Sequence, residues 1–196
     1  MRHRIFIAIN LPEEIKQKLV SYQEKVEELF TPYRSEASGS GPIRWTKKDS
    51  LHITLEFLGY LSDEEVLKVC QDTKELALKH QPFSITLNKI CYGPPKKMPS
   101  QSMNSSNSFP RSSHSGTPRM IWVVGEKIEE LNFSPHITLG RIRTWEFRKI
   151  EPEERPEVNE EINLNFEVNS IEVMESVLKR TGPDYIILES CPLKLN

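Results

Sequence analysis

The chain alternates apolar and polar positions in short runs. Longer stretches interrupt them, with apolar residues recurring every three or four positions. Alternation sends successive side chains to opposite faces of a strand, whereas the wider spacing draws one stripe down a helix. RIFIAIN (4–10) alternates and is rich in Ile and Phe, which predicts a strand. Over residues 11–30, Leu11, Ile15, Leu19, Tyr22, Val26 and Phe30 keep helical spacing. Glu13 and Glu14 suit the positive end of that helix. IRWT (43–46) reads as a short extended piece, and LHITLEFLG (51–59) as a strand ended by its glycine. Ser62 and Glu65 have the spacing of a capping box, which opens a helix to about residue 80. FSITLNKICYG (83–93), RMIWVVG (119–125) and SPHITLGRI (134–142) each predict a strand. Residues 162–178 predict one or two more, and 181–190 a turn followed by a last strand.

Polar stretches separate these elements. RSEASGSGP (34–42) is a loop, and EPEERPEVNEE (151–161) is an acidic loop broken by proline. Residues 94–118 are dominated by Ser, Pro and Asn, with too few apolar side chains to pack, and predict a flexible insertion. Several short strands with two clear helices imply an α+β class with antiparallel pairing. The 196 residues, 37% of them hydrophobic, suit one domain, or two lobes sharing a core. No apolar run approaches the roughly 20 residues that span a bilayer, and early charge at the N-terminus argues against a signal peptide. Cys70, Cys91 and Cys191 are scattered and odd in number, which points to reduced structural thiols and a cytoplasmic setting. A net charge of −2 argues against coating nucleic acid broadly but leaves room for a local basic patch.

Two of the strands contain the same four letters, HITL, at 52–55 and 136–139. With five His and nine Thr in the chain, chance predicts ~0.2 His-x-Thr patterns, and short motifs carry false-positive risk. Strand geometry gives the pattern a meaning. His52 and Thr54 project from one face while Ile53 and Leu55 project from the other, and His136 and Thr138 stand likewise against Ile137 and Leu139. If the strands face each other, a cleft gains two imidazoles and two hydroxyls. Imidazole titrates near neutral pH, so one ring can give a proton to a leaving oxygen while the other takes one from water. Threonine hydroxyls can donate to phosphate oxygens, and Arg141 can add charge and a bidentate contact. Such chemistry suits phosphodiesters and demands neither metal nor cofactor. Trp45 and Phe57 belong to the core or a cleft wall, or stack a base. Arg44, Lys47 and Lys48 before the first motif, and Arg141, Arg143, Arg148 and Lys149 after the second, are solvated charges or cleft-rim RNA contacts. His3, His80 and His114 are isolated and read as surface residues.

In its motifs the sequence resembles the two-histidine (2H) phosphoesterase superfamily, and within it the LigT-like RNA 2′,3′-cyclic phosphodiesterases. RIFIAINLPEE, RWTKKDSLHITLEFLGYL, PRMIWVVG, FSPHITLGR and SVLKRTGPDY carry the likeness in order. The resemblance implies one bilobal α+β domain, with two pseudo-symmetric antiparallel sheets flanking a central cleft and helices outside. It implies metal-independent hydrolysis of RNA 2′,3′-cyclic phosphate ends to 2′-phosphate, with RNA ligation in reverse as a secondary activity. His52 would be the proton donor and His136 the proton acceptor, with Thr54, Thr138 and Arg141 on the phosphate. Alternation puts Arg141 on the face opposite His136, so a bend or bulge at Gly140 is expected. The partner implied is RNA or an oligonucleotide, handled by a monomer away from membranes. Close alternatives are a 2′–5′ linkage or a nucleotide-sugar cyclic phosphate as substrate, or an RNA-end-binding module with little turnover. One departure from the family pattern is plain. A long helix is expected before the second motif, but only EKIEELN (126–132) stands there, enough for about two turns. The second sheet then lacks cover on one face or takes it from elsewhere.

Overall fold

A computed structural model describes residues 1–35, 39–94, 117–128, 133–180 and 182–194. Nearly all of the insertion expected at 94–118, and with it His114, lies outside the described residues. The elements follow one another as β1 (Arg2–Asn10), α1 (Glu13–Phe30), β2 (Ile43–Trp45), β3 (His52–Ser62), α2 (Asp63–Ala77), β4 (Phe83–Gly93), β5 (Met120–Gly125), β6 (His136–Ile142), α3 (Thr144–Arg148), β7 (Asn159–Val168), β8 (Ser170–Lys179) and β9 (Gly182–Pro192). The class is α+β, as the alternating runs predict. The predicted capping box is formed, with Ser62 accepting from the Glu65 backbone and the Glu65 side chain accepting from the Ser62 N–H. Residues 162–178 belong to two strands. The short helix α3 carries no apolar stripe long enough to read in the sequence.

The two expected sheets are halves of one. The strands run β7-β4-β5-β6-β3-β1-β8-β9, with β2 laid along β6, and the described pairs are antiparallel. Each half has four strands in the same pattern, the motif strand innermost: β3, β1, β8, β9 on one side and β6, β5, β4, β7 on the other. The halves meet through a single assigned pair, Ile53 with Ile137, the second letters of the two HITL copies. Both isoleucines are fully buried.

The helices cover the face away from the cleft, but not in sequence order. α2 packs on β1, β3, β8 and β9. α1 crosses to β2 and β6, and its Ile15, Leu19, Val26 and Phe30 share a core with Ile85, Leu87, Ile121, Val123, Ile137 and Leu139. Each such buried aliphatic side chain contributes about 1.5–3 kcal/mol. α1 thus supplies cover to the second half of the sheet. Of that shortened segment, Ile128 and Phe133 exchange backbone hydrogen bonds of 2.8 and 3.1 Å, and residues 129–132 lie outside the described residues.

One strand boundary differs from expectation. Gly59 does not end β3. Ile5 pairs with Gly59 and Phe6 with Phe57, so Leu58 is the extra residue of a bulge, and Gly59 adopts φ 81°. Glycine meets that left-handed conformation without strain, and the strand runs on to Ser62. No described helix is long and apolar enough to cross a membrane.

Candidate active site

The Ile53–Ile137 pair fixes where the polar letters go. Because the pairing is antiparallel, His52 falls on the Thr138 side and Thr54 on the His136 side, all four on the face opposite the helices. His52, Thr54, His136 and Thr138 line one open cleft of about 450 Å³. The alternation read from the sequence therefore holds at both copies.

The two imidazoles have different surroundings. His52 Nδ1 donates to the Ser50 carbonyl at 2.8 Å, which leaves Nε2 facing Thr54 Oγ1 at 3.1 Å. Phe6 and Tyr185 pack on the ring at centroid distances of 5.1 and 4.9 Å. That burial pushes the His52 pKa below its ordinary value; the Ser50 carbonyl opposes the shift, and the positive charge of Lys16 adds to it. His136 instead lies against the indole of Trp122, with ring centroids 4.2 Å apart.

Arg141 reaches the same cleft through a bulge. Trp122 pairs with Thr138 but Ile121 pairs with Gly140, so Leu139 is the extra residue in β6. The bulge reverses the alternation and brings Arg141 to the side of His136. Gly140 sits under β2, where an added Cβ would come 2.8 Å from Ile43 Cγ2 and 3.0 Å from Trp45 Cε3. The indole of Trp45 lies over this glycine and donates to the Glu27 carboxylate.

Charge in the cleft runs against the charge of the whole chain. Arg4, Arg44, Lys47 and Arg141 line it, and among the described residues no Asp or Glu does. Arg44 stands directly opposite Arg141 on the β2–β6 ladder. Trp45 and Phe57 are wall residues, Phe57 being 68% exposed. The other basic residues beside the motifs do not line the cleft. Lys48 pairs with Glu13, Arg143 donates to the Gly41 carbonyl at 3.4 Å, and Lys149 lies over the Trp145 ring. Arg148 likewise stays outside. His3 is no isolated surface residue: its two nitrogens bridge Asp63 and Glu175 at 2.8 Å each, on the helix side of β1. Arg4, Phe6 and Tyr185 are cleft residues that the motif reading passed over, although alternation in RIFIAIN already sets Arg4 and Phe6 opposite Ile5, Ile7 and Ile9. Among the described residues, no group of three or more His, Cys, Asp or Glu side chains is arranged so that it could hold a metal ion.

Comparison with known proteins gives the family. A sequence model described as LigT-like phosphoesterase matches residues 9–102. An RNA 2′,3′-cyclic phosphodiesterase of Thermus thermophilus is 30% identical over an alignment covering 97% of this chain and 90% of its own. This chain belongs to the LigT-like phosphoesterase family. An RNA 2′,3′-cyclic phosphodiesterase of Methanocaldococcus jannaschii is 28% identical over 95% of this chain and 98% of its own. A crystal structure of a Thermus thermophilus protein superposes with a TM-score of 0.70 at 26% identity, covering 97% of this chain and 98% of that one. As a LigT-like phosphoesterase, the protein is a phosphodiesterase with the family's α+β fold.

Proposed function

We propose that this LigT-like phosphoesterase hydrolyses RNA 2′,3′-cyclic phosphate ends to 2′-phosphates. His52 serves as general acid, His136 as general base, and Thr54, Thr138 and Arg141 hold the phosphate. The observation that carries this reading is the Ile53–Ile137 pair, which gathers both His-x-Thr patterns on one cleft face with Arg141. Water attacks phosphorus as His136 takes its proton, the bond from phosphorus to the 3′ oxygen breaks, and His52 gives that oxygen its proton. The product carries a 2′-phosphate and a free 3′-hydroxyl. In the free protein, a neutral His52 with Nδ1–H spent on Ser50 accepts the Thr54 hydroxyl at Nε2. A bound phosphate takes over that hydroxyl, and its negative charge favours the protonated ring, whose Nε2–H is then available to the departing oxygen. With an RNA hydroxyl in place of water as the nucleophile, the same base and acid would join that hydroxyl to the phosphorus of the cyclic end as the 3′ oxygen leaves.

The relatives' names support the substrate class: both curated relatives described above are RNA 2′,3′-cyclic phosphodiesterases. The cationic cleft supports an RNA ligand. Incubation with cyclic-phosphate-ended RNA in EDTA, followed by phosphorus NMR, tests the proposal. A 2′-phosphate product is expected. Tight binding without product would indicate an RNA-end-binding module, and a 3′-phosphate product would contradict the role given to His52.

A further inference from the structure

Gln23 lies on the sheet-facing side of α1 and is only 7% exposed. Its amide nitrogen donates to two backbone carbonyls, Thr46 at 2.9 Å and Leu139 at 2.8 Å. Leu139 is the extra residue of the β6 bulge, and its carbonyl also accepts the Thr46 N–H at 2.8 Å. Thr46 in turn lines the cleft. An extra residue in a strand leaves the ladder locally disrupted, and here the Gln23 amide adds a second donor to the carbonyl that the Thr46 N–H already reaches. One buried side chain from a different element bonds both carbonyls, tying β6 at its bulge to the residue that follows β2. Two residues past that tie, Arg141 turns into the cleft.

We propose that Gln23 is a positioning residue for substrate phosphate: it holds the Leu139 bulge that aims Arg141 into the cleft. The inference rests on the phosphate-binding reading of Arg141 given above. α1 thereby does more than cover the second half of the sheet, since it sets the geometry of a residue that no α1 side chain needs to contact. Without the amide the Leu139 carbonyl keeps the Thr46 N–H, so what is lost is the tie from α1 to both segments.

The test is a double-mutant cycle between Gln23→Met, which keeps the length and removes both donors, and Arg141→Ala. KM and kcat are measured on cyclic-phosphate-ended RNA for the wild type, both single variants and the double variant. A lost positioning contact for phosphate raises KM more than it lowers kcat. We expect Gln23→Met to raise KM about tenfold when Arg141 is present and less than twofold when it is absent, the sign of two residues acting as one unit. Gln23→Asn keeps an amide but is too short to reach both carbonyls, and is expected to repeat the effect in a second chemical background. An equal factor in both Arg141 backgrounds, or an unchanged KM in either Gln23 variant, would overturn the inference. The wild type and Arg141→Ala separate this from the function itself. If the wild type turns over and Arg141→Ala raises KM while the Gln23 effects are additive, only the Gln23 role fails; if the wild type forms no product, the proposed function fails.

Discussion

Each His-x-Thr pattern has a different wall behind it. His52 is held at Nδ1 by the Ser50 carbonyl and enclosed by Phe6 and Tyr185, which depresses its pKa in the free protein. An acid with a depressed pKa loses its proton early as pH rises. The alkaline limb of kcat/KM, which reports the free enzyme, is therefore expected below the ordinary imidazole value. The same limb in kcat should lie higher, because bound phosphate favours the protonated ring. Titration of His52 by proton NMR with and without inorganic phosphate checks this, and a pKa unmoved by phosphate would contradict it. Phe6→Leu thins the apolar wall and should raise the free-protein pKa of His52. Arg141→Ala should raise KM with a smaller loss in kcat, as steady-state kinetics would show.

At the level of elements, the bulge and the caps make separable demands. Gly140→Ala pushes a methyl against Ile43 and Trp45, so it should shift β2 or open the bulge. A cost of about 1–3 kcal/mol in denaturant unfolding is expected, with KM raised because Arg141 moves with the bulge. Ser62→Ala removes the cap of α2 at a cost of about 0.5–2 kcal/mol. Its KM should stay near wild type, since α2 lies on the face away from the cleft. The His3 bridge between Asp63 and Glu175 ties β1 to α2 and β8, and these carboxylates raise the His3 pKa, hydrogen bonding to Asp63 foremost. Its stabilisation is full below the ordinary imidazole value and fades as pH rises through the raised folded value. The melting-temperature gap between wild type and His3→Gln should therefore close with rising pH; a constant gap would count against the bridge.

These elements also mark what the sequence can and cannot convey. HITL is legible because period-two alternation separates His and Thr from Ile and Leu using local information alone. The capping box is legible for the same reason, since its hydrogen bonds span three residues. The Gly59 bulge reads in the sequence as a strand end because a glycine between apolar residues fits either, and only pairing with β1 decides. The crossing of α1 to β6, and the reach of Gln23 to Leu139, join residues 116 positions apart. A polar residue inside an apolar stripe shows that something is satisfied there, but not what. The Arg44–Arg141 pair is hidden likewise, because it depends on the register of β2 on β6.

Across the whole molecule, the proposed function depends on two half-sheets that meet at the Ile53–Ile137 pair. The chain carries a net charge of −2, yet the described residues that line the cleft between the halves include four cations and no acid. Attraction for an anionic RNA end is thus local, and kcat/KM should fall as salt is raised, while the melting temperature changes little. Each half brings one imidazole to the cleft, and in the proposed mechanism neither half alone holds both the acid and the base. The measurement that tests this most directly is the pH dependence of kcat/KM for the wild type and the two histidine variants on cyclic-phosphate-ended RNA. The wild type should give a bell. His52→Ala should lose about 10²–10⁴-fold in rate and its alkaline limb, and His136→Ala should lose as much together with its acid limb. Both limbs surviving in either variant would contradict a single site built from the two HITL strands.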